Sequence, residues 1–473
     1  MPVEIVGMVG TRNASEIKGP LVDGPVVDWM DGPVIEPDYL VAISRAHEQA
    51  GFDRVLVGYG AVGPEGWAVA ASVLHATEHL KVLVAHRPGF VQPALLARKA
   101  ATLDHLTGGG RIAIHFITGG DEADQRREGD FVPHDARYRR TGEVMSLVRR
   151  MWEADAPFDV EGEFFLYEGA FTSVKPVSPG GIPLYFAGAS PAAIEVGAAE
   201  ADVYAFWGEP RAAVAERMRV IGEVAERMGR SLRYSISLRP IIADTEDEAW
   251  EKAEWIAETT AERIELAKER MAGHDSYRGL GGAANATLAV SRGTEGTTSV
   301  GRKRLIAMSA EREVYDERLW MKVANLTGAA GNSTALVGTP AQVAEAMLRY
   351  YDIGCTTLLL KGFDPVPDAL EFGKELLPMV REGVERRAEE RPLITRLVGV
   401  GPRGLGTSGA MPDRARRAES VTGFVVEAAV GRGGVDGLRV HPEELGHREV
   451  VGLQLLIDLL LVFLELESLG LEQ

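Results

Sequence analysis

Eight short, almost wholly apolar runs punctuate the first 385 or so residues, and each is followed by a segment with helical periodicity. The runs are Glu4–Val9, Arg54–Gly58, Leu80–Ala85, Arg111–Ile117, Ile182–Phe186, Ala201–Phe206, Tyr234–Ile242 and Cys355–Lys361. Strands that lack a polar face must be covered on both sides, which is the condition of a parallel sheet wrapped by helices. Eight such β/α units are the number that closes into a TIM (β/α)8 barrel. An open doubly wound sheet is the competing architecture, but no G-x-G-x-x-G follows the first strand. The helix signals agree. Pro37-Asp38 opens a segment with Leu40, Ile43, Ala46 and Ala50 at near-helical spacing, stopped by Gly51, and Thr339-Pro340 reads as an N-cap and first-turn pair.

Two regions break this rhythm. Roughly 100 residues separate the seventh and eighth strands, far more than one connection needs. This insertion, residues 265–325, holds a Gly-, Ser-, Thr- and Ala-rich stretch, Gly273–Ser299, followed by the cationic Arg302, Lys303 and Arg304. At the C-terminal end of a barrel it reads as a candidate lid, the plain alternative being a solvated loop. The barrel domain is expected over residues 1–390. Residues 391–473 form an extension without a single lysine, and Arg391–Val440 holds ten glycines and eight arginines against four acids. That composition predicts a poorly ordered tail, with a short helix over Val450–Leu469.

Composition narrows the function. A net charge of −18 with no dense Lys/Arg block argues against nucleic acid or an anionic membrane as partner. The single cysteine, Cys355, excludes an internal disulfide and makes a Cys-ligated zinc site untenable. The longest apolar run, Leu455–Leu464, is too short to span a bilayer and carries Asp458. The N-terminus lacks the features of a signal peptide. A cytoplasmic enzyme is the expectation.

In a barrel the strand ends carry the chemistry. Here they supply Arg12, Tyr59, Gly60, His86 and Arg87, then Thr118-Gly119-Gly120, Ala187–Ser190, Trp207–Pro210, Arg239 and Phe363. Walker, H-E-x-x-H and G-x-S-x-G signatures are absent. His134 and Asp135 are too few for a metal site, and none is expected. The AGAS turn, Ala187–Ser190, precedes a helix, so its backbone amides could meet a phosphate, with Ser190 adding a hydroxyl. Alone it reads rather as a tight turn that needs small residues for packing. His134 and Tyr138 lie four apart and face one side of a helix start.

An ordered set of segments resembles the bacterial luciferase-like flavin monooxygenases, in particular the alkanesulfonate monooxygenase branch. They are GWAVAAS (Gly66–Ser72), RKAATLDHL (Arg98–Leu106), FITGG (Phe116–Gly120), HDARY (His134–Tyr138), LYFAGAS (Leu184–Ser190), WGEP (Trp207–Pro210), TEDEAW (Thr245–Trp250) and TALVGTP (Thr334–Pro340). The resemblance implies a barrel that binds FMNH2 delivered by a separate NAD(P)H-dependent FMN reductase. O2 is then used to cleave the C–S bond of a sulfonate, releasing sulfite and an aldehyde. It also implies a homo-oligomer, a dimer or tetramer. By the same resemblance the FMN phosphate lies around Gly188, Ala189 and Ser190. His134 and Tyr138 flank the flavin, and Thr118 and Gly119 line its ring.

Three positions depart from that branch. Arg12 stands where a His follows the first strand, Gly63 or a neighbour stands near a usual Cys, and Ser237-Leu238-Arg239 replaces Arg-x-His. The lid arginine is kept as Arg304. Arg12, Arg239 and Arg304 are therefore the candidate sulfonate-binding and catalytic residues, because guanidinium makes two-point contacts with oxyanions. Pairing of Arg12 and Arg239 with barrel acids is the alternative. Two other functions stay open: an F420-dependent oxidoreductase of the same fold, and a non-catalytic flavin-binding protein.

Overall fold

The computed structural model describes residues 2–12, 35–61, 63–119, 122–272, 299–329, 334–398, 424–431 and 434–442. The Gly273–Ser299 stretch lies outside them except for Ser299, and so does the helix expected over Val450–Leu469. The chain divides into two compact units, Met1–Leu397 and Val398–Gln473.

The first unit alternates strands and helices. It begins with β1 (Glu4–Val9), α1 (Pro37–Gln49), β2 (Arg54–Val57), α2 (Gly66–Ala76), β3 (Lys81–His86), α3 (Pro93–Leu106), β4 (Ile112–Phe116), α4 (Glu122–Arg127) and α5 (His134–Glu153). A small hairpin, β5 (Phe158–Glu161) and β6 (Leu166–Ala170), precedes β7 (Leu184–Ala187), α6 (Pro191–Glu200), β8 (Val203–Trp207), α7 (Arg211–Arg227), β9 (Arg233–Ile242) and α8 (Glu246–Ala272). Next come α9 (Val300–Glu311), β10 (Val314–Tyr315), β11 (Leu319–Trp320), α10 (Lys322–Leu326), β12 (Ala335–Gly338), α11 (Pro340–Asp352) and β13 (Cys355–Leu360). The unit closes with α12 (Pro365–Glu371), a π-helical turn (Phe372–Leu376) and α13 (Leu377–Val398).

Eight parallel strands close the barrel in the order β1-β2-β3-β4-β7-β8-β9-β13 and back to β1. These are the eight apolar runs of the sequence, with ends shifted by a residue or two. Local chemistry fixes the helices between them. Gly51 ends α1 at φ 81°, where a Cβ is costly. Thr339 caps α11 in a reciprocal capping box with Gln342, and Pro340 fills its first turn. The extended β9 outruns its barrel partners and takes β12 as a new parallel neighbour, with Ala335 opposite Arg239. In the second unit β14 (Phe424–Gly431) and β15 (Gly434–Pro442) pair as an antiparallel hairpin.

Strand pleating sorts side chains into two populations. Outward-facing Ile5, Val55, Val57, Val82, Val84, Ile114, Phe186, Ile236, Leu358 and Leu360 are sealed beneath the helices. The inward direction is set by Glu4, which accepts from Tyr185 Oη at 2.5 Å across the barrel and from Arg54 Nε at 3.0 Å. Leu83, Ala113, Tyr185 and Val203 pack together as an inward plug. Toward the C-terminal strand ends the inward residues Met8, Leu56, His115, Ala187, Ala205, Trp207, Leu359 and Lys361 are only partly buried, although their outward neighbours are covered. A half-open bore at that end is the consequence, and it is where a barrel carries its chemistry.

Candidate active site

One wall of the mouth is the turn after β7. Ser190 caps α6, its Oγ accepting from Ala193 N at 3.2 Å, while its hydroxyl pairs with Tyr138. Gly188 must be small for packing, since a Cβ there would lie 2.4 Å from Ala193 Cβ and 3.3 Å from Tyr138 Oη. The Gly188 carbonyl accepts from Tyr204 Oη at 3.0 Å and from Arg217 Nη2 at 2.9 Å. A Cβ on Gly301 would come within 3.8 Å of Ala189 Cβ, so the start of α9 abuts the same turn. Ser299 caps that helix. Two helix N-termini therefore meet at Ala189, each presenting orphan N–H groups and a partial positive charge.

Glu209 organises the cations beside this turn. It is 1% exposed and accepts from Arg217 Nη1 at 3.1 Å and Arg304 Nη2 at 2.9 Å. The bond to Glu209 holds the Arg304 guanidinium above its ordinary pKa. Arg304 thus belongs to the turn's network through Glu209. The spacing of the three partners, 8 and 95 residues, hides this cluster from the sequence. The WGEP segment signalled Glu209 without giving it a role.

Helix α5 supplies the sequence-predicted pair. The rings of His134 and Tyr138 meet edge-on at 5.0 Å, and His134 Nδ1 lies 2.7 Å from Asp135 Oδ1. Tyr138 also meets Phe186 at 6.1 Å, and burial pushes its phenol pKa up. Thr118 and Gly119 follow β4. The Thr118 hydroxyl donates to Thr141 Oγ1 at 3.0 Å, because Thr141 spends its own proton on the Arg137 carbonyl. Gly119 has φ 84°, and a Cβ would run into Gln125 Nε2, which donates to the Thr118 carbonyl at 2.9 Å. Glycine is required there on both counts.

A third cluster covers the ends of β2 and β3. Arg87 pairs with Asp124 at 2.6 Å and Glu128 at 2.7 Å, and lies 4.7 Å over the Tyr59 ring. Tyr59 donates to Glu128. His86 faces outward instead, accepting from Trp67 Nε1 at 3.5 Å, and burial pulls its pKa down to about 3.

The sequence-predicted cations differ in setting. Arg12 is 8% exposed at the end of β1. Arg239 is wholly buried, donates to the Gly362 carbonyl at 3.0 Å and stacks 4.7 Å from the Phe363 ring. Burial pulls its pKa down to about 9, against the opposing charge of Asp368. Two inward residues went unnoticed in the sequence. His115 stands opposite Tyr185 on β7, its Nδ1 is buried without a hydrogen-bond partner, and burial pulls its pKa down to about 4. Lys361 follows β13, and burial pulls its pKa down to about 7. A period-two reading of each strand, with a lone polar residue among apolar ones, would have found both.

A separate cleft of about 450 Å3 runs between Lys252, Trp255 and Ile256 of α8 and the Phe363–Glu371 segment. Asp364, Asp368 and Glu371 outnumber Lys252 in its lining, so it is a poor place for an anion. No group of His, Cys, Asp and Glu among the described residues could hold a metal ion. No helix among them is long and apolar enough to cross a membrane.

The luciferase-like monooxygenase family model matches residues 19–357. The chain belongs to that family. Solved structures with the same fold include a riboflavin lyase bound to modified FMN and riboflavin, at 21% identity over 85% of this chain and 96% of that one, TM-score 0.62. The EDTA monooxygenase of Chelativorans sp. BNC1 follows at 18% identity, 81% and 94% coverage and TM-score 0.58. An F420-dependent secondary alcohol dehydrogenase with an F420–acetone adduct matches at 18% identity, 80% and 99% coverage and TM-score 0.52. Membership places this chain among the luciferase-like monooxygenases, and the solved structures share its fold.

Proposed function

We propose that this family member is an FMNH2-dependent monooxygenase that cleaves the C–S bond of an organosulfonate. The balanced reaction takes an alkyl sulfonate, O2 and FMNH2 to an aldehyde, sulfite, FMN, water and a proton. The observation that carries the flavin reading is the Ala189 turn, where two capped helix N-termini meet beside Arg217 and Arg304. Such a cradle suits the terminal phosphate of FMN. The donor set fits the group: Gly188, Ala189 and Ser190 would hold the phosphate, His134 and Tyr138 would flank the flavin, and Thr118 and Gly119 would line its ring. Bound reduced flavin would supply the two electrons that reduce O2.

The chain's own residues divide the remaining work. Arg304, tied to Glu209, serves the phosphate side. Arg12 and Arg239 give the mouth a positive field for a sulfonate, whose charge is fixed at any physiological pH. Apolar Met8, Leu56, Trp207 and Leu359 would shelter the carbon chain and exclude water. A separate NAD(P)H-dependent FMN reductase, a dimeric or tetrameric assembly and a cytoplasmic location complete the proposal.

The test is sulfite release from a panel of sulfonates with FMN, NAD(P)H and an added reductase, beside a parallel titration with F420. Sulfite that depends on FMN and O2 is expected. Reduction or oxidation of F420 with no sulfite would favour the hydride-transfer reading, and flavin binding without turnover would mark a non-catalytic binder.

A further inference from the structure

The expected sulfonate cations do not exhaust the positive charge at the mouth. Pleating carries the inward side of β13 through Thr357 and Leu359 to Lys361. Lys361 keeps partial exposure, whereas Leu358 and Leu360 on the outward side are sealed. Its backbone N–H donates to the Leu238 carbonyl at 3.2 Å, which sets it level with Arg239 on β9. Arg239 lies behind this position, donating to Gly362 and stacked on Phe363 with nothing exposed. Two cations thus occupy adjacent strands, and of the two only the lysine keeps any exposure. The partly exposed Met8, Leu56, Ala187, Ala205, Trp207 and Leu359 around the bore are apolar.

We propose that Lys361 is a substrate-binding residue that pairs with the sulfonate group, with Arg239 behind it as a positioning residue and the apolar bore taking the carbon chain. This rests on the sulfonate reading of the same site. Burial supports it, because the solvation lost by each cation outweighs its pairings and lowers both pKa values. An oxyanion entering the bore would favour the charged form of the lysine, which burial disfavours. Arg304, held by Glu209, then need not meet substrate.

The experiment is calorimetric titration of 1-octanesulfonate into FMN-loaded wild type and the variants Lys361→Met, Lys361→Gln and Lys361→Arg, with sulfite release measured on the same preparations. Methionine keeps the length of the stem and removes a charge that burial disfavours, so Lys361→Met should fold with a melting temperature close to wild type. Both uncharged variants should bind octanesulfonate at least about 30-fold more weakly, and Lys361→Arg should retain most of the affinity. FMN affinity should not change in any of them. Octanesulfonate affinity in Lys361→Met and Lys361→Gln close to wild type overturns the inference, as does wild type that binds no octanesulfonate. Lys361-dependent binding without sulfite release overturns the sulfonate-cleaving reading and leaves the anion site standing. Sulfite release that is indifferent to Lys361 does the reverse.

Discussion

The two sides of the barrel mouth solve the problem of buried charge in opposite ways. At the β7 and β8 ends, Glu209 stands between Arg217 and Arg304, and the carbonyl of Gly188 completes the set. Charge is matched inside the protein, and a rigid turn results. At the β9 and β13 ends, burial outweighs pairing, and Arg239 and Lys361 are pulled down to about 9 and about 7. The first arrangement suits a ligand group that is the same in every turnover, such as a cofactor phosphate. The second suits a ligand that comes and goes.

The largest expected effect breaks the matched side. Glu209→Ala removes a buried carboxylate and strands two partly buried arginines, and should cost roughly 3–5 kcal/mol in denaturant unfolding. A loss under about 1 kcal/mol would mean that solvent already screens the cluster. The next probes the bore. His115 has a folded pKa below its ordinary 6.5, so its contribution to stability is complete above pH 6.5 and falls as pH drops toward about 4. His115→Asn should therefore flatten the acid limb of the stability curve by up to ~1.4 kcal/mol per pH unit in that window. Parallel acid limbs for the two proteins would remove His115 from the buried set. His47 and His86, lowered to about 4 and about 3, act in the same direction and stay in both proteins.

The smallest change sharpens the assignment of the turn. Ser190→Asp keeps a good N-cap, so stability should stay within about 1 kcal/mol of wild type. The added carboxylate sits where a phosphate is expected, and FMN affinity should fall about tenfold or more. Equilibrium FMN titration decides it, since unchanged affinity takes the turn out of the cofactor site.

Much of this fold was written locally. Each barrel strand is a continuous apolar run closed by turn residues, so all eight were legible, and their number named the barrel. The hairpins were not. Val314–Tyr315 and Leu319–Trp320 are two residues each, too short for any period, and β5 and β6 lie on a mixed polar stretch. The same division runs through the site. Gly188–Ser190 and Thr118–Gly119 sit at strand ends, where the barrel rule directs attention. The Glu209 cluster needs residues 95 positions apart, which only the closed fold unites. Lys361 was visible as the last letter of an apolar run, but its meaning depends on which way the pleat turns it.

The division of labour at the mouth is tested most directly by two variants measured for two constants. Arg239→Met and Arg304→Ala should each be assayed for sulfonate kcat/KM and for FMN dissociation. Arg239→Met should lower kcat/KM about 30-fold with FMN affinity within about threefold of wild type, while Arg304→Ala should weaken FMN about tenfold and leave the sulfonate KM in place. If Arg304→Ala abolishes sulfonate binding while FMN is held normally, or if both constants move together in both variants, the mouth is one undivided anion site and the account is contradicted.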